Sequence, residues 1–183
     1  RGVRATEPNH FGVHEFMRLC RLVGAEPYVA ANVGSGSPRE FHDWVSYCNA
    51  PAGTLSLADE RARNGDPEPF GVKYWGIGNE SWGCGGNMSG GEYATEYRKY
   101  VAQVPEYVRP FLVATGPRGH SADGDLAWTE GFFAGLSSGL GVRVDGFALH
   151  YYTDFRQTAE DGAKFDARGW YAVLHKGAQI EKV

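Results

Sequence analysis

The chain has 183 residues, enough for one domain with a sizeable core or for a piece of something larger. Hydrophobic residues make up 42% and charged residues 22%, and a net charge of -4 supplies no basic patch of the kind nucleic-acid partners require. No apolar run approaches the ~20 residues of a membrane helix, which argues against a membrane partner.

Aromatic residues at 14% together with 26 glycines suit a protein that binds flat, hydroxylated ligands within tight loops. The opening RGVRATEPNHF is neither a signal peptide nor a natural start, so the N-terminus is expected to be missing. Three cysteines, Cys20, Cys48 and Cys84, lack any CxxC spacing and give no support to a disulfide framework or a zinc site. Cys20 and Cys48 fall on apolar helix faces and read as core thiols.

In chain order, apolar residues three or four apart predict a helix over Phe11 to Val23, followed by a buried strand in EPYVAAN from Glu26. Ser37-Pro38-Arg39-Glu40 then supplies an N-cap, a Pro at the first helical position and a Glu three residues after the cap. Phe41, Trp44, Val45 and Cys48 continue it as an amphipathic helix. A second strand lies in VKYWGIGN from Val72, with a helix over Gly91 to Val104. A third lies in PFLVATG from Pro110, with a helix over Asp125 to Leu136. The fourth, VDGFALHYY from Val144, precedes a helix over Gly169 to Val183.

Strand and helix alternating in this way imply a parallel sheet with helical crossovers. Strand starts lie 46, 38 and 34 residues apart, close to the ~31 expected if ~250 residues make eight βα units. A doubly wound open sheet also fits. The polar residues favour the barrel: Asn32, Asn79 with Glu80, Thr115, and His150 with Tyr152 all fall at C-terminal strand ends, where a barrel gathers its active site. Four strands close no barrel, so the expected fold class is α/β, a partial (β/α)8 barrel.

Glu80 follows a strand expected to be buried on both faces, so its carboxyl would emerge among Trp75, Trp82 and glycines. Low polarity raises a carboxyl pKa, and a neutral acid near pH 7 can protonate a leaving oxygen. A Glu here equally serves to cap the turn or pair with an arginine, and residue types alone leave both readings open. GIGNES is a poor dinucleotide fingerprint, because Ser81 stands where the third glycine belongs. Asn79-Glu80-Ser81 and Asn87-Met88-Ser89 match the glycosylation sequon, a pattern short enough to arise by chance. Strand alternation sends His150 and Tyr152 to one side and Tyr151 to the other, which makes the first two substrate-side candidates. Glu130 and the run AEDGAKFDARG read as solvated helix and loop.

WGIGNE resembles the Asn-Glu acid/base signature of the barrel-shaped retaining glycosidases. NHFGVHEFMRLCRLVGAEPYVAANVGSG, DWVSYCN, YWGIGNESWGCGGNM and FALHYY, in that order, are similar to family 51 of the glycoside hydrolases, chiefly α-L-arabinofuranosidases. The resemblance runs from Asn9 to the C-terminus, and GAEPY together with YWGIGNE is its specific part. It implies Glu80 as general acid/base at the end of the fourth barrel strand and Asn79 as the partner of the sugar's 2-hydroxyl. It further implies His150 and Tyr152 beside the nucleophile, and Asn32 and Trp82 at strand-end substrate positions.

One local departure is Gly12-Val13-His14-Glu15-Phe16, where the family commonly reads GTDEF, on a helix expected to lie outside the pocket. The larger departure is the nucleophile, a second Glu at the end of the seventh strand. No Glu or Asp here follows a buried strand in that way: Asp145 precedes its strand's core and Asp154 lies beyond Tyr152. The 183 residues are therefore expected to be an internal fragment covering strands three to six of a single catalytic barrel domain, truncated at both ends and inactive alone.

The implied reaction is retaining hydrolysis of an arabinose-containing oligosaccharide or polysaccharide, with no metal or organic cofactor. Related barrels acting on xylosides or β-glucans, and a non-catalytic carbohydrate-binding barrel, remain rivals. A homo-oligomer or a completing chain is the implied protein partner. Unpaired cysteines lean towards a reducing, cytoplasmic location.

Overall fold

A computed structural model describes residues 6, 8–119, 122–137, 142–151 and 167–177. The described elements are α1 (Val13–Val23), β1 (Tyr28–Ala30), α2 (Pro38–Asn49), α3 (Ser56–Arg63), β2 (Tyr74–Ile77), α4 (Gly90–Val101), β3 (Phe111–Thr115), α5 (Ala122–Ser137), β4 (Gly146–Ala148) and α6 (Ala167–Gly177). The four strands form one parallel sheet in the order β1-β2-β3-β4. Sequential parallel neighbours joined by helices are the unit of a (β/α)8 barrel, and the described sheet is an arc of one.

Register divides the strand residues between two faces. Val29, Trp75 and Leu112 share a row that faces the helices and is buried. Trp75 meets Phe41 and Trp44 of α2 edge-on, at ring separations of 5.7 Å each. The adjacent row, Tyr28, Tyr74 and Phe111, points to the other face, and these three are 48%, 38% and 43% exposed. The expectation of strands buried on both faces thus holds only on the helix side, because no further strand among the described residues covers the concave side.

The predicted start of α2 is realised atom for atom. Ser37 Oγ accepts from the Glu40 N–H at 3.2 Å and Glu40 Oε2 accepts from the Ser37 N–H at 2.7 Å, so two orphan donors of the first turn are satisfied. Phe41, Val45 and Cys48 are buried as the periodicity predicts, while Trp44 stays 37% exposed at the rim. Burial pushes the Cys48 thiol up to about 12, the behaviour of an inert core thiol.

α3 was not predicted. Its sequence SLADERAR carries little apolar surface, and its most buried long side chain is Arg61, fully enclosed. The guanidinium donates to the carbonyls of Tyr47, Ala50, Asp66 and Pro67, a polar anchor that hydrophobic periodicity does not register.

α4 and α5 pack against each other and the sheet through aromatic rings, α5 reaching Phe147 of β4. Phe132 stacks on Tyr93 at 5.1 Å and on Phe147 at 5.7 Å, and Trp128 stacks on Tyr93 at 5.7 Å. Glu130 is exposed on α5, as expected. Tyr152, Asp154, most of the AEDGAKFDARG run and the end of the last predicted helix lie outside the described residues.

Candidate active site

Beyond Ile77, the chain passes through Gly78 and Asn79 and turns at Glu80, whose φ of 47° lies in the left-handed region that residues with side chains rarely enter. Two amides fold back onto the Glu80 carbonyl, Gly83 N–H at 2.8 Å and Gly85 N–H at 3.0 Å. The fold-back needs glycine at 85, since a Cβ there would stand 1.8 Å from the Asn79 carbonyl oxygen. The Glu80 side chain ends up 16% exposed at the C-terminal edge of the sheet.

Its two carboxyl oxygens have different partners. His150 Nδ1 lies 2.8 Å from Oε1, and the Cys84 thiol donates to Oε2 at 3.4 Å. His150 stands two residues past β4, outside the strand whose alternation was used to place it. Its position comes instead from main-chain packing. Gly116 N–H donates to Ala148 O at 2.8 Å, and a Cβ on Gly119 would approach His150 O to 2.0 Å.

Tyr93 of α4 fastens the strand ends beneath the site. Its hydroxyl donates to Ile77 O and accepts from Thr115 N–H at 2.8 Å, tying β2 to β3 where each runs out. Burial pushes the phenol above its ordinary value, so the hydroxyl keeps its proton and can fill both roles. Beside it, Ser81 Oγ donates to Thr115 Oγ1 at 3.3 Å. Thr115 is therefore a buried strut.

The other predicted residues divide. Asn79 is exposed next to Glu80, and its amide has no hydrogen-bond partner among the described residues. Asn32 follows β1, but its amide is engaged locally: Oδ1 accepts from Gly34 and Ser35 N–H at 3.1 and 3.0 Å, and Nδ2 donates to Ser35 Oγ at 2.8 Å. Trp82 is half-buried two residues after Glu80, with its indole N–H enclosed and unpartnered among the described residues. The Arg118 guanidinium lies over its ring at 5.7 Å. Trp75, expected near the carboxyl, faces α2 instead, because the odd-numbered positions of β2 point to the helix layer. Tyr152 lies outside the described residues.

A family model described as the α-L-arabinofuranosidase 1 domain matches residues 3–169. A solved family 51 arabinofuranosidase from Xanthomonas axonopodis pv. citri superposes with a TM-score of 0.80 at 36% identity, covering 96% of this chain and 35% of that one. The chain belongs to glycoside hydrolase family 51.

Other arabinofuranosidases are similar over most of the sequence. An intracellular exo-α-L-arabinofuranosidase of Bacteroides ovatus is 39% identical over 181 residues, 97% of this chain and 34% of the relative. The α-L-arabinofuranosidase of Thermotoga maritima, solved as an arabinose complex, is 33% identical with a TM-score of 0.68, over 83% of this chain and 30% of that one. The chain thus spans about a third of the length of these relatives.

Two features of the Glu80 surroundings in this family 51 chain were not singled out from sequence. Cys84 belongs to no CxxC spacing and gives no support to a disulfide or zinc site; its place four residues after Glu80 in a glycine-dense turn was the available signal. Tyr93 lay unmarked within a predicted helix, because nothing in the period of a helix tells a filling tyrosine from one whose hydroxyl is used. The family resemblance puts His150 beside a nucleophile; in the structure the group it meets is Glu80.

Proposed function

We propose that this chain supplies the acid/base half of a retaining α-L-arabinofuranosidase, and that its 183 residues form part of a single catalytic (β/α)8 barrel domain. The observation that carries the reading is the Glu80 carboxyl, held by His150 at the C-terminal edge of a parallel sheet in a family 51 chain. The substrate would be a terminal α-L-arabinofuranosyl residue on an arabinose-containing oligosaccharide or polysaccharide.

In the first half-reaction, protonated Glu80 gives its proton to the glycosidic oxygen as the bond from that oxygen to the anomeric carbon breaks. A second carboxylate, from a strand beyond this sequence, bonds to the anomeric carbon. In the second half, ionised Glu80 removes a proton from the water that displaces this carboxylate, and both groups return to their starting states. Retention requires the two carboxyls to stand ~5–5.5 Å apart.

Asn79, with its amide exposed beside Glu80, would donate to the sugar's 2-hydroxyl. That bond gains strength as the ring flattens towards an oxocarbenium ion, so it favours the transition state over the ground state. His150, Trp82 and, by the family resemblance, Tyr152 would line the sugar pocket, and Asn32 would shape its wall through the Gly34–Ser35 turn. Without the second carboxylate, the 183 residues alone would not turn over.

The test is Glu80→Ala in the intact protein, assayed on aryl α-L-arabinofuranosides of graded leaving-group pKa. An acid role predicts heavy loss on poor leaving groups and little on activated ones. Equal loss across the series would sink it.

A further inference from the structure

We propose that Cys84 is a positioning residue for Glu80, its thiol holding the Oε2 edge of the carboxyl opposite the edge that His150 holds. The inference rests on the acid/base reading of Glu80 and assigns a role to a cysteine outside the resemblance-derived site.

The geometry is built for this contact. The left-handed turn at Glu80 and the two amides returning to its carbonyl reverse the chain within four residues, which sets the Cys84 side chain over the Glu80 carboxyl. The Sγ–Oε2 separation of 3.4 Å suits a sulfur donor, and the adjacent Gly85 lets the turn close, since a Cβ there would meet the Asn79 carbonyl oxygen at 1.8 Å. Cys84 is exposed, unlike the core thiols Cys20 and Cys48, so packing does not account for it.

A thiol is a weak donor, and its bond to a carboxylate is stronger than its bond to a neutral acid. Cys84 therefore favours the ionised form of Glu80, the form needed to deprotonate water. Being weak, it leaves the protonated form accessible for the first half-reaction. The titratable groups at the carboxyl include His150, from the segment after β4, and Cys84, from its own loop; Arg118, after β3, lies over Trp82. Fixing both oxygens also holds the carboxyl plane in one orientation towards the leaving group.

The experiment compares Cys84→Ala and Cys84→Ser in the intact protein, reading the pH dependence of kcat/KM, whose basic limb reports loss of the acid's proton. Removing the donor in Cys84→Ala should move the basic limb up by ~0.5 pH unit, and Cys84→Ser, with a stronger donor, should leave it at or below the wild-type position. Loss on poor leaving groups should exceed loss on activated ones in Cys84→Ala and should be recovered in Cys84→Ser. An unmoved limb in both variants, or movement of both in the same upward direction, overturns the proposal. Matching thermal midpoints would establish that the variants are folded, and because Cys84 is exposed, Ser and Ala are both accommodated. Glu80→Ala in the same leaving-group series separates the two readings. If Glu80→Ala behaves as an acid knockout while the Cys84 variants leave the limb in place, only the positioning role fails.

Discussion

The imidazole Nδ1 of His150 lies 2.8 Å from Glu80 Oε1, so the segment after β4 and the loop after β2 meet across the end of β3. A hydrogen bond to a charged group is worth ~1.5–3 kcal/mol. His150→Phe in the intact protein should therefore lower kcat/KM by ~10- to 100-fold while leaving the thermal midpoint close to wild type. His150→Asn, which keeps a donor, should recover part of the loss. Rates unchanged in both variants would remove His150 from the proposed proton-transfer role.

Tyr93 carries a second prediction, because a single hydroxyl serves two main-chain groups at the ends of β2 and β3. Tyr93→Phe keeps the rings that stack on Trp128 and Phe132 but leaves Ile77 O and Thr115 N–H without this partner in a dry site. The expected cost is ~1–3 kcal/mol, read as a lower urea midpoint with an unchanged slope. A neutral outcome would mean that the strand ends are held by the sheet alone.

The contrast between Ser37 and Arg61 explains how much was legible. At Ser37 every local signal agrees: cap, proline, reaching glutamate and apolar spacing all describe one helix, and α2 starts there. Glu80 was legible for a similar reason, since strand, glycine and polar strand end converge on it. α3 was hidden because its anchor is a charge: a fully buried guanidinium satisfied by carbonyls has no signature in a hydrophobic period. The Cys84–Glu80 contact was hidden because it depends on a left-handed φ, which the residue type Glu argues against. Alternation along β4 was an incomplete argument for the place of His150, since the strand ends at Ala148 and glycine packing carries the chain onwards to Glu80.

His14, Asp66 and Tyr47 make a third case, on the outer side of the fold. His14 Nδ1 is 2.6 Å from Asp66 Oδ2, its Nε2 is 2.6 Å from Tyr47 Oη, and Arg21 reaches Asp66 Oδ1 at 3.3 Å. This is the helix on which the sequence departs from the family pattern, and His14 is tied into the loop before β2. Burial opposes the charge on Asp66, but hydrogen bonds from His14 and Arg21 outweigh it and hold the carboxyl below its ordinary value. A carboxyl more acidic in the folded than in the unfolded state stabilises the fold above its unfolded value and loses that contribution as pH falls through the folded one. The stability gap between wild type and Asp66→Asn should therefore be widest at neutral pH and shrink as the pH drops below about 4, the unfolded-state range of an Asp. Urea titrations across that range measure it, and a gap independent of pH would show that the Asp66 charge contributes nothing.

Arg61 offers the sharpest stability test. Its Nη1 donates at 2.7 Å to both Tyr47 O and Ala50 O, Nε donates to Asp66 O at 3.0 Å, and Nη2 to Pro67 O at 3.1 Å. The Phe70 ring lies 6.0 Å from the guanidinium carbon. The charge is thus accommodated by carbonyl dipoles and an aromatic face, and α2, α3 and the segment leading to β2 converge on it. Arg61→Met fills comparable volume but strips the partners from four carbonyls, so it should cost more than ~3 kcal/mol. Arg61→Lys keeps the charge yet cannot reproduce a planar fork that reaches four acceptors, and should recover only a minor part. Urea unfolding of the intact protein decides between the outcomes. If Arg61→Met lost less than ~1 kcal/mol, water would be satisfying those carbonyls and the anchor would be dispensable. If Arg61→Lys matched wild type, charge alone, and not the fork, would hold α3 in place.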